Sequence, residues 1–146
     1  MFKKIFQLKA QSYPVSLALL LLRLNVGIAF VIHGWGKIQS PFSWIPPEAP
    51  MHIPAVFQFL AAVSEFGGGI ALVIGLITPL ASLGIGITMT VALYAQIVVF
   101  KAPFVNLQGG NSYEIALVYF CLAVLFLAAG PGKFSVDGLI FGERKI

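Results

Sequence analysis

Four ionisable side chains stand inside stretches that are otherwise apolar: Arg23, His33, Glu65 and Glu114. A charge at the centre of a membrane helix costs about 2.5–3.5 kcal/mol on insertion scales. Such groups turn toward the bundle interior and pair. Arg23 and Glu65 are the expected buried polar pair. With the first helix starting near residue 15 and the second ending near residue 77, the two lie about 12 Å and about 18 Å from the same end at 1.5 Å per residue. The difference of about 6 Å is within reach of an arginine side chain. Arg23, Gly27, Phe30, Gly34 and Lys37 share one helical face, and Ala61, Ala62, Glu65, Gly68, Gly69 and Leu72 share another. Small residues on such faces let membrane helices approach closely. Two roles stay open for the pair: fixing helix register, or handling charge and protons.

A second cluster is expected near the opposite rim. His33 and Lys37 close the first apolar stretch, Tyr94 and Gln96 lie in the last turns of the third, and Tyr113 and Glu114 open the fourth. Convergence of His33, Lys37, Gln96, Tyr113 and Glu114 would offer hydrogen-bond donors to a quinone's carbonyls and a proton source. The bland alternative is interfacial decoration, with lysines snorkelling and tyrosines belting the membrane. No metal site is expected, because His33 and His52 stand alone without ligand spacing. The single Cys121 cannot form a disulfide within the chain and reads as a packing residue. Gly67, Gly68 and Gly69 fall inside an apolar stretch and serve packing, and no basic-aromatic surface points to nucleic acid.

The elements that must position these groups follow from composition. The chain has 146 residues, 59% hydrophobic and 10% charged, with a net charge of +4. A soluble domain is nearer 45–50% apolar and about 25% charged. A water-soluble fold of this size could not bury so much apolar surface. The expectation is an all-α integral membrane four-helix bundle, up-down-up-down, forming one domain over residues 1–146 with spans at about 15–38, 54–77, 79–100 and 112–130. Pro14, Pro54 and Pro79 sit at helix starts, where a missing N–H costs nothing, and Gly130-Pro131-Gly132 stops the last span. The two or three residues near Thr78 force an antiparallel hairpin. The proline-rich segment 39–53, with Trp44, reads as a stiff stretch on the membrane surface. The N-terminal stretch is too long for a signal peptide and reads as a retained span. Lys3, Lys4, Lys9, Lys133, Arg144 and Lys145 fall on the side of both termini, against Lys37 and Lys101 opposite, so both termini are expected in the cytoplasm.

Three segments together resemble the DoxX family. They are Leu22-Arg23-Leu24 with Gly27, Phe30, His33-Gly34 and Lys37; Glu65 with Gly67-Gly68, Leu72, Gly75-Leu76 and Thr78; and Tyr113-Glu114 followed by Gly130-Pro131-Gly132-Lys133-Phe134-Ser135-Val136-Asp137. The resemblance covers about residues 17–142. It implies a four-helix bundle in a bacterial or archaeal inner membrane. It also implies kinship with subunits of thiosulfate:quinone oxidoreductase or terminal quinol oxidase. Where many members carry an arginine after the threonine of the second loop, this chain has Pro79.

The leading expectation is therefore a membrane subunit of a quinone-linked oxidoreductase complex that anchors a partner and binds quinone. Its surroundings would be the lipid bilayer and other subunits of a membrane redox complex, with a homo-oligomer left open. With no cofactor ligands in the sequence, electron transfer would need quinone or a partner. A non-catalytic scaffold is the second reading. A small-solute transporter is the third, disfavoured by the lack of an inverted repeat.

Overall fold

The computed structural model describes Phe6 and residues 11–142. Among them the fold is all-α: α1 (Tyr13–Gln39), α2 (Ala55–Ile74), α3 (Thr78–Tyr94), α4 (Glu114–Ala129) and a short α5 (Val136–Phe141). α3 continues through a π-helical turn, Ala95–Val99, so the third span is Thr78–Val99. Three helices are long and apolar enough to cross a membrane, and α4 is a shorter apolar helix of 16 residues. Together they form a four-helix membrane bundle. α1 packs on α2, α2 on α3 and α3 on α4. The rings of Phe30 in α1 and Tyr119 in α4, 5.0 Å apart, bring the fourth helix of the bundle back to the first.

The core is thin and the outside is apolar. Val26, Phe30, Leu72, Ile85 and Phe126 are buried, while Leu21, Ile28, Ile32, Ile70, Leu83 and Ile87 are exposed. No more than 33% of the most apolar stretch of any span is buried. Such surfaces need a hydrocarbon solvent, and the helix is a form that satisfies its own backbone there.

The small-residue faces mesh as their spacing implies. A Cβ on Gly27 would stand 2.8 Å from the Gly69 carbonyl oxygen, and one on Gly69 would stand 2.8 Å from the Gly27 carbonyl oxygen. Gly34 faces the backbone of Phe66. α1 and α2 therefore cross at backbone contact, and glycine is what permits it.

That crossing sets a register different from the one expected. α2 ends at Ile74, three residues before residue 77. Gly75 takes the left-handed conformation (φ 70°) there, with its N–H bonded to the Leu72 carbonyl and the Leu76 N–H to that of Ala71. A Cβ on Gly75 would overlap the Arg23 guanidinium. The turn between α2 and α3 is thus level with Arg23, not with the start of α1. Glu65 lies ten residues up α2 from that turn, about 15 Å at 1.5 Å per residue. Arg23 and Glu65 are both buried, at 0% and 2% exposure, but they do not pair. Height measured along each helix separately missed that α1 overruns the turn.

The C-terminal tail occupies the space below the turn. A Cβ on Gly132 would stand 3.3 Å from the Ser16 Cα, so the tail lies against the first turns of α1. Asp137 is fully buried and accepts from the Ile77 and Thr78 N–H groups at 2.7 and 2.8 Å. It caps the start of α3, where Ile77 has no side chain able to do so. The Asp137 N–H donates to the Gly75 carbonyl at 2.8 Å. Arg23 donates through Nη2 to the Phe134 carbonyl at 2.6 Å. Arg23 is therefore the anchor of the tail. Of the basic residues that set the expected orientation, Lys3, Lys4, Lys9, Arg144 and Lys145 lie outside the described residues.

Candidate functional site

The partner of Glu65 is Lys37. This lysine sits in the last turn of α1, on the face that also carries Gly27 and Gly34. Its Nζ donates to Glu65 Oε1 at 2.6 Å, and the two side chains are 26% and 2% exposed. The same ammonium lies over the Trp44 ring, 4.5 Å from its centre. The second carboxylate oxygen, Glu65 Oε2, is buried and has no hydrogen-bond partner among the described residues.

Two cavities share this ion pair as a wall. The first, about 520 Å³, lies between α2, α3 and the segment after α1, and is lined by Trp44, Ile53, Phe57, Leu60, Ile87 and Val91 among others. The second, about 300 Å³, lies between α1, the end of the third span and α4. It is lined by His33, Met89, Gln96, Ser112, Ile115 and Tyr119 with others. Lys37, Glu65 and Ala92 line both. An apolar cavity with a few convergent polar groups is the usual form of a small-molecule site.

The lid of the first cavity is pinned by one buried glutamine. Gln58 accepts from Ile45 N–H at 3.0 Å through Oε1 and donates to the Ile53 carbonyl at 2.8 Å through Nε2. Its own carbonyl accepts from Trp44 Nε1 at 2.9 Å. The segment expected to lie on the membrane surface is thus folded over the end of α2, and Trp44, Ile45, Ala49 and Met51 face the cavity. Gln58, Ala62 and Glu65 recur at i, i+4 and i+7 and are all buried. A polar residue at that spacing was a readable signal, and sequence reasoning passed over it.

Gln96 reaches the second cavity because it sits in the π-helical turn. Such a turn inserts one residue into the helical ladder, re-aims the side chains around it, and recurs at functional sites. Gln96 Oε1 is buried without a partner among the described residues.

Of the expected rim cluster, the structure gathers His33, Lys37 and Gln96 around the second cavity. Tyr113 and Glu114 line neither cavity. The Tyr113 ring packs at a tilt against Phe104, 5.3 Å between centres, and the Glu114 N–H bonds the Phe104 carbonyl at 3.1 Å. Glu114 opens α4, where a negative charge favours the helix dipole. α4 begins two residues later than expected, and it is Ser112 and Tyr119 that line the cavity.

Comparison with known proteins agrees with this architecture. The DoxX family model matches residues 18–100, which span α1 through the π-helical turn. Among curated proteins the chain is 28% identical to the candidate oxidoreductase CatD of Bacillus subtilis over 127 residues, 86% of this chain and 89% of the relative. It is 28% identical to the inner membrane protein YqjF of Escherichia coli over 122 residues, 83% and 90% of the two chains. It is 30% identical to an uncharacterised protein of Haemophilus influenzae over 122 residues, 82% and 88% of the two chains. No solved structure matches.

Proposed function

The chain belongs to the DoxX family, and on that premise we propose that it is the membrane subunit of a quinone-linked oxidoreductase complex in a bacterial inner membrane. Two relatives support the setting, one named as a candidate oxidoreductase and one as an inner membrane protein. The observation that carries the reading is the pair of cavities meeting at the buried Lys37–Glu65 ion pair. The first cavity, almost wholly apolar, suits an isoprenoid tail, and the second, with His33, Gln96 and Tyr119, suits the ring. An ion pair within an apolar wall is costly to place and marks a functional site in membrane proteins. In this reading both termini face the cytoplasm, where a partner subunit docks, and the cavities open toward the outer leaflet.

The test is mass spectrometry of lipid extracts from protein purified in mild detergent. Quinone should co-purify at near one per chain. Ala92→Phe, at one of the three residues common to both cavities, should remove it while the protein stays folded. Extracts with no quinone above the level of a control membrane protein would sink the reading.

A further inference from the structure

The two ends of this bundle use different cations. Arg23, at the end closed by the tail, holds a backbone carbonyl with a guanidinium, a group that proteins do not deprotonate. The ion pair that faces the cavities uses lysine instead. Lysine is the weaker choice for a buried pair, but it can give up a proton and become a nucleophile. The Lys37 ammonium bonds Glu65 Oε1 at 2.6 Å and lines a cavity of about 520 Å³ whose other walls are almost wholly apolar. That volume is within the range of small-molecule sites. We propose that Lys37 is a covalent docking site for a lipophilic aldehyde, held as a protonated imine with Glu65 as counter-ion and the chain in the first cavity. No quinone is needed for this chemistry.

The ammonium first passes a proton to Glu65, which leaves a neutral amine and a neutral carboxyl in the apolar wall. The freed Nζ lone pair attacks the aldehyde carbon. The C=O π pair moves to oxygen, which takes a proton from the nitrogen. The hydroxyl of this carbinolamine has a waiting acceptor in Glu65 Oε2, which is buried without a hydrogen-bond partner among the described residues. Glu65 then returns its proton to that hydroxyl, the C–O bond breaks, water leaves and the nitrogen lone pair closes the C=N bond. The products are water, the iminium and an ionised carboxylate, and nothing is oxidised or reduced. The iminium nitrogen takes the place of the ammonium between Glu65 and the Trp44 ring, whose centre is 4.5 Å from Nζ. Both contacts favour a cation there.

The test adds all-trans-retinal to the full chain in lipid nanodiscs. This long polyene aldehyde gives an imine that absorbs further to the red when protonated. Borohydride then fixes the imine as an amine, and peptide mass spectrometry locates it. Lys101, exposed just beyond the π-helical turn, is the internal reference. Lys37 should be labelled about ten-fold or more faster than Lys101, a small share of the roughly 10²- to 10⁴-fold that a positioned general acid–base group contributes. A red-shifted band should accompany the label. In Glu65→Gln the counter-ion is gone, so that band should fall back to the unprotonated position at neutral pH. Thr88→Phe lies outside the ion pair and narrows the first cavity. It should slow Lys37 labelling several-fold and leave Lys101 labelling unchanged. Labelling of Lys37 no faster than of Lys101 would overturn the proposal. So would a red-shifted band that survives Glu65→Gln, or a Lys37 rate indifferent to Thr88→Phe.

Discussion

At the residue scale the Lys37–Glu65 pair dominates. Glu65 is 2% exposed, so removing its partner strands a charge in a low-dielectric wall. Breaking a buried pair from one side costs about 3–5 kcal/mol, whereas replacing both members by apolar side chains can be close to neutral. Lys37 keeps 26% of its surface exposed, which places the expected loss for Lys37→Met at the lower end, about 3 kcal/mol. Adding Glu65→Leu should recover most of it. Denaturant unfolding in detergent reads both, and a double variant no more stable than the single one would contradict the pairing. That Arg23 and Glu65 turn inward was legible in the sequence, because a lone charge among apolar residues has nowhere else to go. Which group answers each was not. Arg23 is met by the Phe134 carbonyl, and Glu65 by Lys37, because partners are chosen by the register of helix crossing.

At the scale of elements the segment between α1 and α2 behaves as a lid fastened by Gln58, by the Lys37 ammonium over Trp44 and by the Phe42–Phe59 ring stack. Gln58 makes or receives three hydrogen bonds with Trp44, Ile45 and Ile53. In Gln58→Leu the two side-chain bonds are lost, the Ile45 N–H and Ile53 carbonyl are left unpaired, and the lid should loosen. Trp44 fluorescence, read in a Trp35→Phe background, should shift to the red and become more accessible to a water-soluble quencher. Emission identical to the parent would argue that the lid is held elsewhere. The π-helical turn at Ala95–Val99 is a second device at this scale, since it aims Gln96 at the cavity. Neither device was visible in hydropathy. Prolines and length marked the segment as a loop but not where it folds, and the π turn has no sequence period of its own.

At the scale of the whole molecule the bundle has two ends with different work. One end is sealed by the tail, where Asp137 binds the turn between α2 and α3 and Arg23 holds the Phe134 carbonyl. The other end holds the ion pair, the lid and both cavities. The proposed orientation, from the positive-inside rule, has the sealed end facing the cytoplasm. Leu107 and Leu139 are 94% and 85% exposed and lie at opposite ends of the bundle. With Cys121→Ala as background, Leu107→Cys should react with a membrane-impermeant thiol reagent in intact cells. Leu139→Cys should react only after the membrane is opened. The reverse pattern would invert the orientation and place the cavities on the cytoplasmic side.

The sequence by itself determined the class of solvent, the helical architecture and the close α1–α2 contact. Apolar content settles the first, span length and prolines the second, and glycine spacing at Gly27, Gly34 and Gly69 the third. These are properties of one segment at a time, or of a composition summed over the chain. Only the tertiary structure decided that Lys37 rather than Arg23 answers Glu65, and that the tail rather than a loop caps α3. It also brought Ser112 and Tyr119 to the cavity in place of Tyr113 and Glu114. Each of these depends on the relative height and rotation of two helices. A slide of two or three residues in the register of one helix on another costs little in hydropathy, yet it moves a side chain by several ångströms and turns it to another face.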